Sequence, residues 1–540
     1  MAPSFDEEGK TRYREFLRGQ YQGDITELNR SYGTKAVDFS ELVPEEYWYG
    51  VRYAQEELFT EDDVNGRTTK FRIWRDNARW KMQELTAYFK EMKGRLKEKH
   101  DNLFLCPDLT QWGYFLNIYG RMQQDLDNAF SDLWDTAVRG MDVYALAEHV
   151  DSCHFITVPV TPDGLPDAYV VSCQHSMMRV MNEGKPMVGG IYWGRYIYDD
   201  IYAFLTPAEM IATMAAAGID GYTCYGMNGL DDGGVLNRMD TDFLDSLKRG
   251  NDWLAQILAR RAGTKKKEIA LLFPSEMAHL EPFEVGNNKI RRLDLLGWYH
   301  LCCDLGYQVD VISMHEIERG ALDAYRILIV PTNDCYDSAG HEQAEAAVKA
   351  WVKAGGVLLH GPLDALAESC FGISGIPCEK LPYRYGKVII PQGERFCRYE
   401  GGEEIAPYVD NGGSCVVSYG TVYAFGVQIG AAYAAKNIPH VPYAQGNKEM
   451  YPFIQSKTTL VKDVLYQHLT PESRVRERGI ETGIFENGMV IVNHRSTPYT
   501  LPQRYAREWY QYEPARTPEG TGILMGHSAV WVEWQEMGNE

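Results

Sequence analysis

Residues 184–200 read GKPMVGGIYWGRYIYDD. An apolar run from Pro186 to Ile191 stops abruptly in a loop holding Tyr192, Trp193, Arg195, Tyr196, Tyr198, Asp199 and Asp200. A strand buried on both faces reads as such a short unbroken apolar run, and in α/β folds the loop after it is where chemistry sits. Aromatic rings, a guanidinium and two carboxylates suit a polar, ring-shaped ligand such as a sugar. They equally suit an ordinary strand–helix connection whose aromatics fill a crevice. On these residues alone both readings stay open.

Outward from this stretch the chain alternates. Upstream, Phe71, Trp74, Ala78, Met82, Leu85, Phe89, Met92 and Leu96 recur every three or four residues, which predicts a long helix over 68–97 lying on a sheet. Strands are expected at 102–106 (NLFLC), 153–160 (CHFITVPV), 185–191 and 220–225 (DGYTCY), with helices near 174–182, 206–217 and 242–261. Four strands alternating with helices make a parallel α/β layer, half of an eight-stranded barrel. The basic segment 260–267 (RRAGTKKK) is the best boundary, its lysines read as a solvated linker. Beyond it, strands at 269–273, 308–313, 327–330 and 357–359 alternate with helices at 289–305 and 341–354, a doubly wound, flavodoxin-like layer. The chain ends in alternating runs such as MVIVN and AVWVEW around an Asn487–Gly488 turn signal, a small antiparallel β module. Three domains follow, 1–262, 263–472 and 473–540, within the α/β fold class.

Composition narrows the function. A net charge of −21 and a pI near 5.1 argue against nucleic-acid or anionic-membrane partners, which need a basic face. No apolar run approaches the length of a membrane span, and the first ten residues hold no signal-like apolar stretch, so a cytoplasmic location is the default. The 11 cysteines contain no C-x-x-C pair, and several sit in apolar runs, as in LFLCP, where they read as small hydrophobes. The 13 histidines form no H-x-H or H-x-x-x-H, and there is no Cys–His signature, no G-x-G-x-x-G after residue 273 and no phosphate loop. No metal and no cofactor are expected.

What remains are the strand ends of the first layer. They offer Asp108, Gln111 and Trp112; His154 and Asp163; Tyr192, Trp193, Arg195, Asp199 and Asp200; then Tyr225, Asn228, Asp231 and Asp232. Any one of these carboxylates reads as a helix cap or a solvated loop group; their convergence on one face is what points to a site. Sugar hydrolysis needs two carboxylates across the scissile bond, and neighbours such as Asp199 and Asp200 point different ways and are not that pair unaided.

The segment 16–34 (FLRGQYQGDITELNRSYGT) resembles the W-L-x-x-R-Y-G…L-N-x-x-W-G-T segment of family 42 glycoside hydrolases, the β-galactosidase-like enzymes of clan A. GKP at 184–186, TPAEM at 206–210 and AGIDGYTCYGMN at 217–228 resemble that family's seventh and eighth barrel strands. The resemblance runs through nearly the whole chain in order. It implies a trimerisation domain in the second layer, a homotrimer, a small C-terminal β domain and a retaining β-galactosidase activity on a carbohydrate. The family's first four strands, the last ending in an Asn–Glu that carries the acid/base, have no counterpart here, and a separate chain or a longer polypeptide is expected to supply them. Counting from Lys185–Pro186, the family's nucleophilic Glu falls on Ile191, and a Trp usual after the eighth strand falls on Met227. The expected substrate contacts are Asp108, Trp112, Tyr192, Trp193, Arg195, Tyr225 and Asn228, with Asp199 and Asp200 as this chain's candidate carboxylates. The runner-up is a non-catalytic sugar-binding or scaffold subunit. A hydrolase or transferase built on the second layer is a weaker rival, lacking a nucleophile.

Overall fold

The computed structural model describes residues 6–44, 68–107, 142–154, 156–161, 166–194, 202, 205–226, 240–275, 285–391, 393–434, 451–502, 509–511 and 522–534. The N-terminal helices are α1 (Glu7–Gln20), α2 (Ile25–Tyr32), α3 (Thr69–Lys99) and α4 (Val143–Ala147). Asp24 opens α2 by accepting the amides of Thr26 and Glu27, and Gly33 closes it in the left-handed region, as an N-cap aspartate and a C-terminal glycine do. Against expectation, the first half of α3 lies on helices, not on a sheet. Its buried Asp76 accepts the hydroxyls of Tyr21 (2.7 Å) and Tyr32 (3.1 Å), and Asn77 accepts that of Tyr13 (2.6 Å). Three tyrosines thus reach the polar groups on an otherwise apolar stripe, two of them converging on one oxygen of Asp76.

The first α/β layer comprises α5 (Ala168–Met181), β1 (Val188–Tyr192), α6 (Pro207–Ala217), β2 (Gly221–Tyr225) and α7 (Thr241–Arg260). β1 and β2 pair in parallel. Two expected strands are not strands. Asn102 lies in a turn and residues 103–107 form no ladder, because Leu105 is tied to Asp151 through that residue's carboxylate and amide. The stretch 153–160 is reduced to isolated bridges, Thr157 to Ile191 and Val160 to Pro166, and Pro159 cannot donate to a ladder.

The second layer is built from β3 (Ile269–Leu272), α8 (Val285–Asp304), β4 (Val309–Ile312), β5 (Ile327–Val330), α9 (Glu342–Lys353), β6 (Val357–His360), β7 (Glu403–Pro407), β8 (Ser414–Tyr419), β9 (Val422–Phe425), α10 (Ile429–Ala434) and α11 (Tyr451–His468). Its seven strands run β4-β3-β5-β6-β9-β8-β7, the first five parallel and the last two antiparallel. Numbering the parallel strands by chain order gives 2-1-3-4-5, the doubly wound order of flavodoxin-like sheets. All four residues of each of β3, β4, β5 and β6 are buried, matching the apolar runs that announce them. The helices α8 and α10 touch through glycine: a Cβ on Gly297 would stand 1.7 Å from the Gly430 carbonyl oxygen.

The third unit is a four-stranded antiparallel sheet in the order β10 (Ile480–Ile484), β11 (Gly488–Asn493), β13 (Ser528–Glu533), β12 (Trp509–Gln511). Helix α6 is buried on every residue, its one charged side chain, Glu209, included, and backs directly onto this sheet at Gly483, whose Cβ would meet the Ala216 carbonyl oxygen. The basic connection is no solvated linker. Lys265 is buried, and burial lowers its ammonium pKa to about 8, while Lys267 pairs with Glu183 and lies over the Tyr325 ring.

Where the three units meet, a polar network is buried but for the partly exposed His527. His494, fully buried after β11, has Nδ1 2.9 Å from Glu209 of α6 and Nε2 3.1 Å from Glu481 of β10. The other carboxylate oxygen of Glu209 takes His527 at 2.9 Å. With a carboxylate at each ring nitrogen, both nitrogens donate and His494 is an imidazolium. Burial alone would lower its pKa, but the bonds and charges of Glu209 and Glu481 outweigh burial and raise it to about 9. The folded value thus lies above the unfolded one near 6.5, so the stability this group contributes, about 3 kcal/mol, is complete below that pH and lost as pH rises through about 9. Asp167 and Asp364, both buried helix caps raised to about 7 by burial, act in the same direction, since their ionisation opposes folding. Lys265, held down near 8, acts the other way above that pH, so urea midpoints are expected to fall between pH 6.5 and 8; a midpoint that rises over that window contradicts the network.

Candidate functional site

The two faces of the β1–β2 pair are fixed by what each side chain meets. A Cβ on Gly189 would stand 2.7 Å from His175 Nε2 of α5 and 3.1 Å from Ile219. Tyr222, paired with Gly189, reaches Asn251 of α7 through its hydroxyl (2.8 Å). Trp193 packs edge-on against Phe243 of α7. Side chains alternate along a strand, so Gly189, Ile191 and Trp193 face the helices, whereas Gly190 and Tyr192 face the other, inner side with Thr223 and Tyr225. The Tyr192 and Tyr225 rings indeed meet at 5.8 Å.

This geometry explains the glycine pair in the opening stretch. Only a missing side chain at position 189 leaves room for His175, which accepts the Gly190 amide (3.3 Å) on Nε2 and donates from Nδ1 to the Val171 carbonyl (2.7 Å). Burial lowers the His175 pKa to about 4, so the ring is neutral and serves as a structural clamp. The loops after both strands are tied together, Trp193 donating its amide to the Tyr225 carbonyl (2.9 Å). Gly226, at φ 85°, would push a Cβ to within 2.6 Å of the Gly194 nitrogen.

Several expected contacts fall differently. Trp193 is 1% exposed, clustered with Tyr202 and Phe243, and so belongs to the aromatic core; for this residue the crevice-filling reading holds. Ile191 is fully buried on the helix side, so the position that counting assigns to a nucleophile does not open onto the inner face. Shifting the count does not help, because 187–194 (MVGGIYWG) contains no acid at all. Tyr192 faces inward but is covered, its ring lying over Gly194 and Gly226. Tyr225 is the accessible aromatic on the inner face, 38% exposed. Asp108, Trp112, Arg195, Asp199, Asp200 and Asn228 lie outside the described residues, as do Gln111, Asp163, Asp231, Asp232 and Met227.

The open side of the pair is its most informative feature. β1 is buried from Gly189 to Tyr192, yet Thr223, Cys224 and Tyr225 of β2 beside it are exposed, and among the described residues β2 pairs only with β1. An exposed strand edge next to a buried strand is a place where another strand belongs.

Sequence reading missed one constellation. Cys106 and His154, 48 residues apart, place Sγ and Nδ1 3.2 Å from each other. No local spacing could reveal the pair, although His154 stood among the strand-end candidates.

No sequence-family description and no curated protein matches this chain. Solved structures do. The chain superposes on the β-galactosidase of the Antarctic haloarchaeon Halorubrum lacusprofundi with a TM-score of 0.64 at 14% identity, covering 98% of this chain and 77% of that one. For the family GH42 β-galactosidase Gan42B of G. stearothermophilus the TM-score is 0.65 at 14% identity, over 97% and 76% of the two chains. For the β-galactosidase of Bacillus circulans sp. alkalophilus it is 0.65 at 13% identity, over 99% and 78%. The chain therefore has the GH42 β-galactosidase fold, in line with the motif resemblance.

Proposed function

We propose that this chain, built on the fold of the GH42 β-galactosidases, acts on or binds a β-linked sugar at the carboxyl ends of its first-layer strands, within a barrel whose other strands come from another chain or from a longer form of this polypeptide. The exposed edge of β2 beside the buried β1 carries the proposal. A retaining glycosidase needs an acid and a nucleophile about 5 Å apart across the glycosidic bond. β1 provides neither, so the carboxylates come from Asp199, Asp200 or the completing strands. Tyr225, with Asp108, Trp112, Arg195 and Asn228, would hold the sugar ring by stacking and hydrogen bonds. The doubly wound second layer would form a homotrimer, visible as three chain masses in light scattering.

A specific observation favours a second reading. A strand without any acid from 187 to 194 fits a non-catalytic sugar-binding subunit. Alanine at Asp199 or Asp200 separates the two. In an assembly that hydrolyses an aryl β-galactoside, losing a member of the carboxylate pair lowers kcat by about a hundredfold or more. Unchanged turnover in both variants removes them from the pair, and galactose binding without any hydrolysis by the completed assembly establishes the second reading.

A further inference from the structure

The Cys106–His154 pair has the parts of an activated nucleophile. Cys153 lies against the Val143 carbonyl and the Met181 sulfur, and Cys370 against the Glu345 carbonyl, none of them a base. Cys106 meets an imidazole nitrogen at 3.2 Å. His154 follows Cys153, which packs on Met181 of α5, and its ring stands beside Cys106. Exposure is divided usefully between the two. Cys106 is partly open, whereas His154 is buried, and burial lowers its pKa, leaving the ring neutral and able to accept a proton. A reachable thiol hydrogen-bonded to a neutral imidazole is the nucleophile–base pairing of assisted cysteines.

We propose that Cys106, with His154 as its base, is a covalent capture site for an activated acyl group. Nδ1 takes the Sγ proton, the sulfur lone pair forms the S–C bond, the tetrahedral adduct expels the alkoxide, and the imidazolium returns the proton to it. The balance is Cys106–SH + RCO–OR′ → Cys106–S–CO–R + HOR′, with no redox partner. This site is independent of the sugar reading and stands or falls by itself.

The probe is p-nitrophenyl acetate on the full chain, with adducts located by peptide mass spectrometry. Cys224 is the internal reference, an exposed thiol whose pKa burial of its sulfur raises. At pH 7 Cys106 is expected to acylate about tenfold or more faster than Cys224, and His154→Gln to slow Cys106 by about tenfold while Cys224 is unchanged. Cys106→Ser should abolish the fast adduct. Equal rates at the two thiols, or an unaltered Cys106 rate in His154→Gln, overturn the proposal. If His154→Gln does not fold, the native chain still decides: the Cys106-to-Cys224 rate ratio should shrink as pH rises from 6 to 9, and a constant ratio overturns it.

Discussion

Glu209→Ala is expected to destabilise the chain by about 3–5 kcal/mol, because it removes one partner from a buried charge network. Both carboxylate oxygens of Glu209 are in use, one on His494 and one on His527, and the carboxylate is fully buried. Without it, His494 must either keep its charge with Glu481 alone or lose a proton and leave Nδ1 facing a void. The network joins α6 of the first layer to β10, β11 and the turn before β13, so its loss loosens the third unit from the first. Glu209→Gln, which keeps the volume and one acceptor, should cost less than alanine, and its midpoint should depend less on pH between 6.5 and 8. Urea denaturation at pH 7 measures both. A loss below about 1 kcal/mol for the alanine variant would show that the network is not the junction described here.

Ile191→Glu is expected to cost about 4–6 kcal/mol, even though counting from the family motif makes it look like the restoration of a nucleophile. The side chain enters the helix-facing core, where a carboxylate has no cation and no water. It would fold protonated if at all, and no hydrolysis should return. Tyr225→Glu, on the opposite face and already 38% exposed, should cost only about 1 kcal/mol. Thermal midpoints of the two variants thus read which face is which. A stable Ile191→Glu chain with new turnover of an aryl β-galactoside would mean that the strand faces are assigned the wrong way round.

How much was legible in the sequence differs by layer for physical reasons. In the second layer, ILIV at 327–330 is buried on every residue, so composition alone marks the strand, and short connections enforce the doubly wound order. In the first layer the signals are mixed. The stretch 153–160 has strand composition, but Pro159 and the pairing of Thr157 to Ile191 leave it as bridges. Periodicity places Ile191 on a strand without saying which face it takes; that depends on His175, fourteen residues upstream in sequence order from Gly189 and carried by another element. Lys265 looked solvated because three consecutive lysines usually are, yet the junction of three units closes over it. Cys106 read as a small hydrophobe because a thiol's partner is a matter of tertiary structure, here a histidine 48 residues away. The glycine pair at 189–190 was visible from the start, but its meaning, room for a histidine, needed the helix in place.

The most direct measurement of the central claim is hydrolysis of p-nitrophenyl β-galactoside by the purified chain alone, followed with its solution mass. An acid-free β1 and an exposed β2 beside it predict no turnover above buffer and a tendency to associate through that edge. A stable, monodisperse preparation of this chain alone that turns the substrate over at an enzymatic rate would contradict the account.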